Sequence, residues 1–276
     1  MELNISMKIY DCFMYFDEDL ILSLRLNTLD KYVDYFVIVE SSFAHNGDKR
    51  KLKFDISKFS KFKKKIIYLV YDEEPNNIFS IDKNDIGQSK TNKLIWNAIY
   101  RENGQRNFII NGLNHADNDD LILISDVDEI PNLENIELKN IKQKIVLFKQ
   151  DMFYYKFDLK IPNIKWTGTK ACKKKYLISP QWLRNVKDRK YPIFRLDIIF
   201  SKQKYNSVKI INSGGWHFTN IKTSKEIETK LKSYLHHIEF EENPLSSGEI
   251  ENIIKEKRAI YNLNLDQRKN KIGRGD

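Results

Sequence analysis

The sequence predicts an α/β fold built on a mostly parallel sheet flanked by helices. The first observation is a strand–helix–strand pattern over residues 8–39, which is typical of a parallel βαβ unit. The second is that the predicted strands are continuous apolar runs, as expected for a buried sheet. The third is that acidic residues follow two of these strands, at the edge where parallel sheets bind ligands.

The opening unit consists of predicted strands at residues 8–14 and 35–39. Asp17 is placed to cap the helix between them, whose leucines recur near helical spacing. Glu40 directly follows the second strand, so we expect its carboxylate at the ligand-binding edge of the sheet. Asp11 is a second candidate in the same layer, although a local capping role is the commoner one for such a carboxylate.

The middle of the chain alternates loops with regular elements. Residues 43–62 are polar and predict a loop, and residues 66–70 predict the third strand. Residues 76–90 are polar and irregular. A long helix is predicted over residues 91–113, with Gly104 as the site of a kink.

An acidic motif follows the apolar strand predicted at residues 121–124. Because side chains alternate along a strand, Asp126 and Asp128 project to the same side, whereas Glu129 points away if the extended geometry persists. Adjacent carboxylates repel unless a cation lies between them, and oxygen ligands suit Mg²⁺ or Mn²⁺. The alternative is a solvated acidic turn without a ligand, since Asp-x-Asp is a common pattern.

The C-terminal half is predicted to be less regular. Residues 145–148 form a strand that leads into an aromatic cluster at 152–157. Residues 165–200 mix basic residues with short apolar runs and predict an irregular, β-rich half. Two helices are predicted near the end of the chain, at residues 225–240 and 248–261.

The composition indicates one folded domain. The chain has 276 residues, 41% of them hydrophobic, which is enough to bury a large core. We expect a single domain over residues 1–276, with its core at 7–262 and a basic, disordered tail at 263–276. Cys12 and Cys172 suggest buried positions in a reducing compartment, not a disulfide framework.

A net charge of +9 favours anionic partners such as nucleotides, phospholipid surfaces or nucleic acid. The chain has no apolar run near the ~20 residues of a membrane span, and its N-terminus lacks the pattern of a signal peptide. We therefore expect a soluble, cytoplasmic protein, with peripheral membrane contact as an alternative. A basic nucleic-acid-binding or scaffolding protein is a second hypothesis, but no motif for nucleic acid is visible, so we expect no such partner.

Four stretches occur in an order that resembles a known family. They are Tyr10-Asp11-Cys12-Phe13 with Leu24-Arg25-Leu26 and the run from Val33 to Ser41; Trp96 with Arg101-Glu102 and Gln105-Arg106-Asn107; Asp120 with Ser125-Asp126-Val127-Asp128-Glu129-Ile130-Pro131; and Gly214-Gly215-Trp216-His217-Phe218. This order is similar to that of glycosyltransferase family 17, whose best-known members are β-1,4-mannosyl-glycoprotein 4-β-N-acetylglucosaminyltransferases.

The resemblance implies a GT-A-like fold with a Rossmann-type sheet, in which the irregular β-rich half lies on the acceptor side. It also implies a UDP-sugar donor (UDP-GlcNAc in the best-known members), Mn²⁺ or Mg²⁺, a glycan or glycoconjugate acceptor, and inversion at the anomeric carbon. An inactive sugar-nucleotide-binding homologue is an alternative that lies between this function and the nucleic-acid-binding hypothesis.

In this setting Asp126 and Asp128 are the predicted metal ligands, with His217 completing the shell. The alternative for His217 is a hydrogen-bonded core histidine beside Trp216. The residues predicted to bind the nucleotide sugar are Asp11, Glu40, Glu102, Gln105, Arg106 and Asp126. Glu102 and Arg106 are four residues apart on the predicted helix, so a structural ion pair is the alternative for them.

An inverting transfer needs a general base to deprotonate the acceptor hydroxyl. Asp151 is the first candidate, because it precedes the aromatic cluster that would stack on sugar rings, and Glu129 is the second. Asp158 and Asp197 are further carboxylates considered for this role. Aromatic candidates for acceptor binding are Tyr154, Tyr155 and Trp166, although aromatic clusters are more often part of a core.

Overall fold

The computed structural model describes residues 7–189, 191, 201–233, 240 and 244–260. The predicted basic tail at 263–276 lies outside the described residues, and so does Asp197. Most of the second half of the predicted helix at 225–240 also lies outside them. Within the described part of the chain, no helix has both the length and the apolar character that a membrane span requires.

The described residues form one sheet of nine strands with helices packed on it. The strands are β1 (Ile9–Tyr15), β2 (Tyr35–Ser41), β3 (Ile66–Tyr71), β4 (Leu121–Asp126), β5 (Glu129–Pro131), β6 (Ile145–Tyr154), β7 (Lys160–Lys173), β8 (Val208–Ile211) and β9 (Gly215–Thr219). The α-helices are α1 (Asp19–Leu29), α2 (Gly87–Phe108), α3 (Pro180–Asn185), α4 (Ser224–Ser233) and α5 (Ser247–Lys255). Single 3₁₀ segments lie at Ile56–Phe62, Ile109–Leu113, Leu138–Asn140 and Lys174–Tyr176.

The strand order is β3-β2-β1-β4-β7-β6-β9-β5, with β8 also paired to β6. β1 is parallel to β2 and β4, β2 is parallel to β3, and β6 is parallel to β8 and β9. β7 runs antiparallel between β4 and β6, and β5 runs antiparallel to β9. The sheet curls back on itself, so that β5 at the end of the strand order also contacts β7. The predicted α/β class with a mostly parallel sheet is confirmed.

Both faces of the sheet are covered, which explains why its central strands are continuous apolar runs. Successive side chains of β1 point to opposite faces. Cys12 belongs to a buried cluster with Leu113, at the end of the segment that follows α2. Phe13 belongs to the cluster on the other face, together with Leu26 of α1. A third cluster joins the end of β6 to α4 and α5.

Three local predictions differ from the structure. Gly104 does not kink α2, which is continuous from Gly87 to Phe108. Its missing side chain instead makes room for Tyr71, whose hydroxyl oxygen lies 2.5 Å from where a Cβ would be. Asp17 does not cap α1; Glu18 occupies the N-cap position and its side chain makes no capping bond to the helix. The predicted loop at 43–62 ends in a 3₁₀ segment, which Asp55 caps.

Candidate active site

A cavity of about 310 Å³ opens at the carboxyl ends of β1, β2 and β4. β2 and β3 continue the sheet on one side of β1, whereas β4 lies on its other side. Ligands of open α/β sheets bind in the crevice at such a switch point. The residues from these strand ends that line the cavity are Met14, Tyr15, Phe16, Ser41, Phe43, Asp126, Val127, Asp128 and Glu129.

The acidic turn after β4 is held from below by Arg25 of α1. This guanidinium is fully buried and donates to the carbonyl oxygens of Asp126 at 3.1 Å, Val127 at 3.2 Å and Glu129 at 2.9 Å. Asp11 accepts two further bonds from Arg25, at 2.7 and 2.6 Å. The predicted ligand Asp11 therefore lies outside the cavity lining, where it orients the arginine that fixes the turn.

Glu40 is also buried beneath the cavity and does not line it. Its carboxylate accepts bonds from the backbone nitrogens of Lys53 at 2.7 Å and Phe54 at 3.0 Å, and from the hydroxyl of Tyr68 at 2.9 Å. It also forms an ion pair of 3.0 Å with Arg50. These contacts fix the loop after β2, so in this structure Glu40 buttresses the wall of the cavity.

Two arginines from different helices converge on Asp126. Arg106 of α2 contacts one carboxylate oxygen at 3.0 Å, and Arg184 of α3 contacts the other at 3.1 Å. Burial favours the neutral acid, but these guanidiniums hold the pKa of Asp126 well below its ordinary value. Glu102 pairs with Arg106 at 2.7 Å, which is the ion pair given as the alternative to nucleotide binding, and both residues lie outside the cavity lining. Gln105 lines the cavity and donates to the carbonyl of Val39 at 3.0 Å.

Glu129 is 1% exposed and lies at the base of the cavity. Arg184 donates to its two carboxylate oxygens at 2.6 and 3.0 Å, and the indole nitrogen of Trp166 donates at 2.6 Å. The backbone nitrogen of Asp126 donates at 2.8 Å. Glu129 thus does not point away from Asp126, because the turn at Val127 and Asp128 interrupts the extended geometry.

His217 reaches the acidic turn from the far end of the chain, because β9 pairs with β5 and places it opposite Glu129. Its Nε2 lies 3.7 Å from Asp128 and 3.1 Å from the hydroxyl of Thr219. Burial lowers the pKa of His217, but the charge of Asp128 outweighs it and raises the pKa above its ordinary value. The other ring nitrogen, Nδ1, is buried and has no hydrogen-bond partner among the described residues.

The three predicted metal ligands are not assembled as one group. Among the described residues, no set of three or more His, Cys, Asp and Glu side chains has the spacing to hold a metal. The reason is that both oxygens of Asp126 face arginines. Asp128 and His217 both line the cavity and together fit a divalent ion, since two protein ligands leave positions open for phosphate oxygens and water.

The charge of the site also fits a cation. The ion-paired cluster at the base of the cavity holds four carboxylates and two arginines: Glu102, Asp126, Asp128, Glu129, Arg106 and Arg184. Lys230 also lines the cavity and adds one positive charge. With His217 neutral, as metal coordination requires, one negative charge remains in this set, and a bound divalent cation would offset it.

Asp151 does not reach the cavity. Its neighbour on β6, Met152, lines the cavity, and side chains alternate along a strand, so Asp151 points to the other face. There it pairs with Lys165 at 2.5 Å and with Lys160 at 3.0 Å, which keep the pKa of this carboxyl below its ordinary value although burial opposes the shift. The structure therefore does not support the predicted base at this position.

Arg184 is the main residue of the site that the sequence analysis did not identify. A local signal was present, because Ser179 and Pro180 have the pattern of a helix start. The Ser179 side chain indeed accepts a bond from the backbone of Trp182 and caps α3. The partners of Arg184 are far away in sequence, so the helix start alone does not indicate its role.

Comparison with known proteins supports the resemblance noted in the sequence. No curated protein matches this chain. The sequence model of glycosyltransferase family 17 matches residues 2–266, which is nearly the whole of the 276-residue chain. This match includes both halves of the cavity, from β1 to β9. The chain therefore belongs to glycosyltransferase family 17.

Proposed function

We propose that the protein is a metal-dependent, inverting glycosyltransferase with a GT-A-like fold, which transfers GlcNAc from UDP-GlcNAc to a hydroxyl of a glycan. Membership of the family supports glycosyl transfer in general. The observation that carries the more specific proposal is the cavity at the ends of β1 and β4, where Asp128 and His217 lie beside an arginine-bound carboxylate.

The nucleotide is assigned to the part of the cavity formed by β1 and β2. Phe16 and Phe43 supply aromatic surface there, and Ser41 supplies a hydroxyl. Aromatic faces stack on a nucleobase, and hydroxyl groups donate and accept hydrogen bonds. In this placement the diphosphate extends towards the turn at 126–129, because the turn lies at the neighbouring strand end.

Asp128 and His217 are assigned to the divalent ion, which when bound offsets the charge that develops on the leaving diphosphate. Arg106 and Arg184 contribute fixed positive charge beside the same position. Because both guanidiniums are held by carboxylates before the substrate arrives, they need little reorganisation during the reaction. At this pair Mn²⁺ is favoured over Mg²⁺, since one of the two ligands is an imidazole and imidazole is a ligand of transition metals.

An inverting transfer occurs in one displacement and needs a base on the acceptor side. Of the two carboxylates predicted for this role, Glu129 is the one that lines the cavity, and it is retained as the proposed base. Arg184 and Trp166 hold its carboxylate in place at the base of the cavity.

A donor-hydrolysis screen tests the proposal. The purified protein is incubated with UDP-, GDP- and CMP-sugars, each with and without Mn²⁺, and released nucleotide is measured. We expect turnover of UDP-GlcNAc that depends on Mn²⁺ and is lost in Asp128→Asn. Turnover that persists without any divalent ion, or a preference for GDP- or CMP-sugars, would contradict it.

A further inference from the structure

Trp166 is unusual among the residues of the cavity because its indole is both exposed and fixed. It lies on β7, lines the cavity and is 40% exposed. Two residues further on, Gly168 packs so closely that a Cβ there would be 3.0 Å from the carboxyl carbon of Glu129. β7 is therefore pressed against the base of the cavity at this point, and the indole of Trp166 stands at its rim.

Two contacts set the orientation of this indole. Its nitrogen donates to Glu129 at 2.6 Å, and Glu129 is itself bound by Arg184. Its ring lies 5.4 Å from the ring of His217, with an angle of 36° between the planes. Rotation of Trp166 would leave a buried carboxylate without one of its donors, which is unfavourable. An aromatic face held in this way loses little conformational entropy when a ligand stacks on it.

We propose that the exposed face of Trp166 binds a pyranose ring of the acceptor glycan. The C–H bonds on one face of a pyranose carry partial positive charge and pack on the negative face of an aromatic ring. The proposal rests on the glycosyltransferase function proposed above. It goes further, because it places the acceptor on β7 and specifies a ligand with an apolar sugar face.

The acceptor is favoured over the donor sugar by position. The donor is joined to the diphosphate, which is assigned to the interior of the cavity beside Asp128 and His217. Trp166 instead lies at the solvent-exposed rim, on β7, which is separated from β2 and β3 by β1 and β4. An acceptor entering from solvent meets this surface first.

Saturation-transfer difference NMR with simple glycosides tests the proposal. The probes are the methyl glycosides of β-GlcNAc, α-mannose and β-galactose, with UDP and Mn²⁺ present. We expect the ring protons of one sugar face to receive the strongest saturation from the wild-type protein. Trp166→Ala should weaken binding of the preferred glycoside by about tenfold, whereas Trp166→Phe, which keeps an aromatic face, should weaken it less.

Trp96→Ala is the matched control, because Trp96 is also exposed, at 50%, and lies on α2 outside the cavity lining. It should leave glycoside binding unchanged. The increase in melting temperature caused by UDP and Mn²⁺ is measured in parallel and should persist in Trp166→Ala, because this variant keeps Asp128 and His217. This second readout also shows that the variant is folded.

The outcomes separate this inference from the proposed function. Unchanged glycoside binding in Trp166→Ala, or no glycoside binding by the wild type, would overturn the inference. Weakened UDP binding in that variant with intact glycoside binding would also overturn it and assign the ring to the donor. If UDP has no effect on the wild type but Trp166→Ala still loses the glycoside, the sugar subsite is supported and the UDP-sugar proposal fails.

Discussion

Arg184 contacts both the acidic turn and β7 through a single guanidinium. It contacts Asp126 at 3.1 Å, Glu129 at 2.6 Å and the backbone carbonyl of Gly168 at 2.6 Å. Burial lowers the pKa of this arginine, but the charges of Glu129 and Asp126 outweigh it and raise the pKa. Arg184 therefore stays charged and joins the acidic turn to β7.

Replacing Arg184 should cost stability. In Arg184→Met the carboxylate of Glu129 stays buried but loses its counterion, and such a loss typically costs about 3–5 kcal/mol. Urea unfolding followed by circular dichroism measures the free energy. The double variant Arg184→Met/Glu129→Gln removes the buried charge and should be more stable than the single variant. A double variant that is less stable still would refute this account of the ion pair.

The two aspartates of the turn should separate activity from stability. Asp126→Asn and Asp128→Asn are both expected to abolish turnover of the UDP-sugar. Asp126→Asn should also lower the free energy of unfolding by a few kcal/mol, because Arg106 and Arg184 lose a shared counterion. Asp128→Asn should stay within about 1 kcal/mol of the wild type. Parallel activity and urea-unfolding measurements check both, and full activity in either variant would refute the assigned role.

The assignment of the base gives a paired prediction. Glu129→Gln should lower kcat by at least about 10²-fold, because it cannot accept a proton, while UDP affinity changes little. Asp151→Asn should keep wild-type kcat, since Asp151 faces Lys160 and Lys165 outside the cavity. Steady-state kinetics at saturating donor measures both. The reverse result, with Asp151→Asn inactive and Glu129→Gln active, would restore the original prediction from sequence.

At the residue scale, the sequence predicted which carboxylates lie near the cavity better than it predicted their ion-pair partners. The position of Asp126 and Asp128 directly after an apolar strand places them at the cavity, and both line it. Asp11 lies on the predicted first strand and Glu40 directly follows the predicted second strand, but each is paired with an arginine beneath the surface. Pairings of this kind depend on where α1 and the loop after β2 pack, which no local pattern specifies.

At the element scale, β7 and α3 are joined by a buried lysine. Lys170 of β7 is 6% exposed and donates to the carbonyl of Val186 at 2.7 Å and also to the carbonyl of Arg184. These carbonyls lie at the C-terminal end of α3, where a cation is favourable. Burial, together with the charge of Arg184, lowers the pKa of Lys170 to about 7. The lysine that holds the helix end therefore titrates near neutral pH.

This lysine should make stability depend on pH. The pKa of Lys170 is lower in the folded protein than in the unfolded chain, so above about pH 7 the unfolded chain binds one proton more. Stability contributed by this group therefore rises with pH, by up to about 1.4 kcal/mol per unit. Urea unfolding between about pH 7 and 8 measures the slope, below the pKa of about 8.5 of a cysteine in the unfolded chain.

Lys170→Met is the control for this prediction. It keeps much of the side-chain volume and removes the titrating group, so the slope of stability against pH should become smaller than in the wild type. An identical slope in both proteins would show that another group is responsible. A steeper rise of stability with pH in Lys170→Met than in the wild type would contradict the assignment.

The bounds of strands that are buried along their whole length could be predicted from the sequence. The bounds of elements that are exposed at one end and buried at the other could not. β1, β2 and β4 are buried along almost their whole length and lie where the sequence places them, to within two residues. β7 was not predicted as one strand, because its first half is largely exposed and polar and contains Pro162. α2 has four buried residues, and all of them lie at or after Asn97. The sequence near its start at Gly87 therefore gives little apolar signal.

At the scale of the whole molecule, a basic protein surrounds an acidic site. The chain carries a net charge of +9, whereas carboxylates outnumber arginines in the cluster beneath the cavity. An overall positive field attracts a nucleotide sugar, and the local negative charge attracts the divalent ion that accompanies it.

The α/β class and the mostly parallel sheet were predictable from strand order and burial. The contact between β5 and β9 joins residues almost ninety positions apart. The placement of His217 beside the acidic turn could therefore be predicted only from the resemblance to the family.

The central claim is that UDP and a divalent ion bind together at Asp128 and His217. The most direct measurement is the melting temperature of the wild type and of Asp128→Asn with UDP, with Mn²⁺, and with both. At saturating ligand, of the order of 100 times Kd, the wild type should gain about 2.7 kcal/mol, or roughly 5–10 °C, only when both are present. Asp128→Asn should show no such joint gain. An equal gain in the variant, or none in the wild type, would contradict the claim.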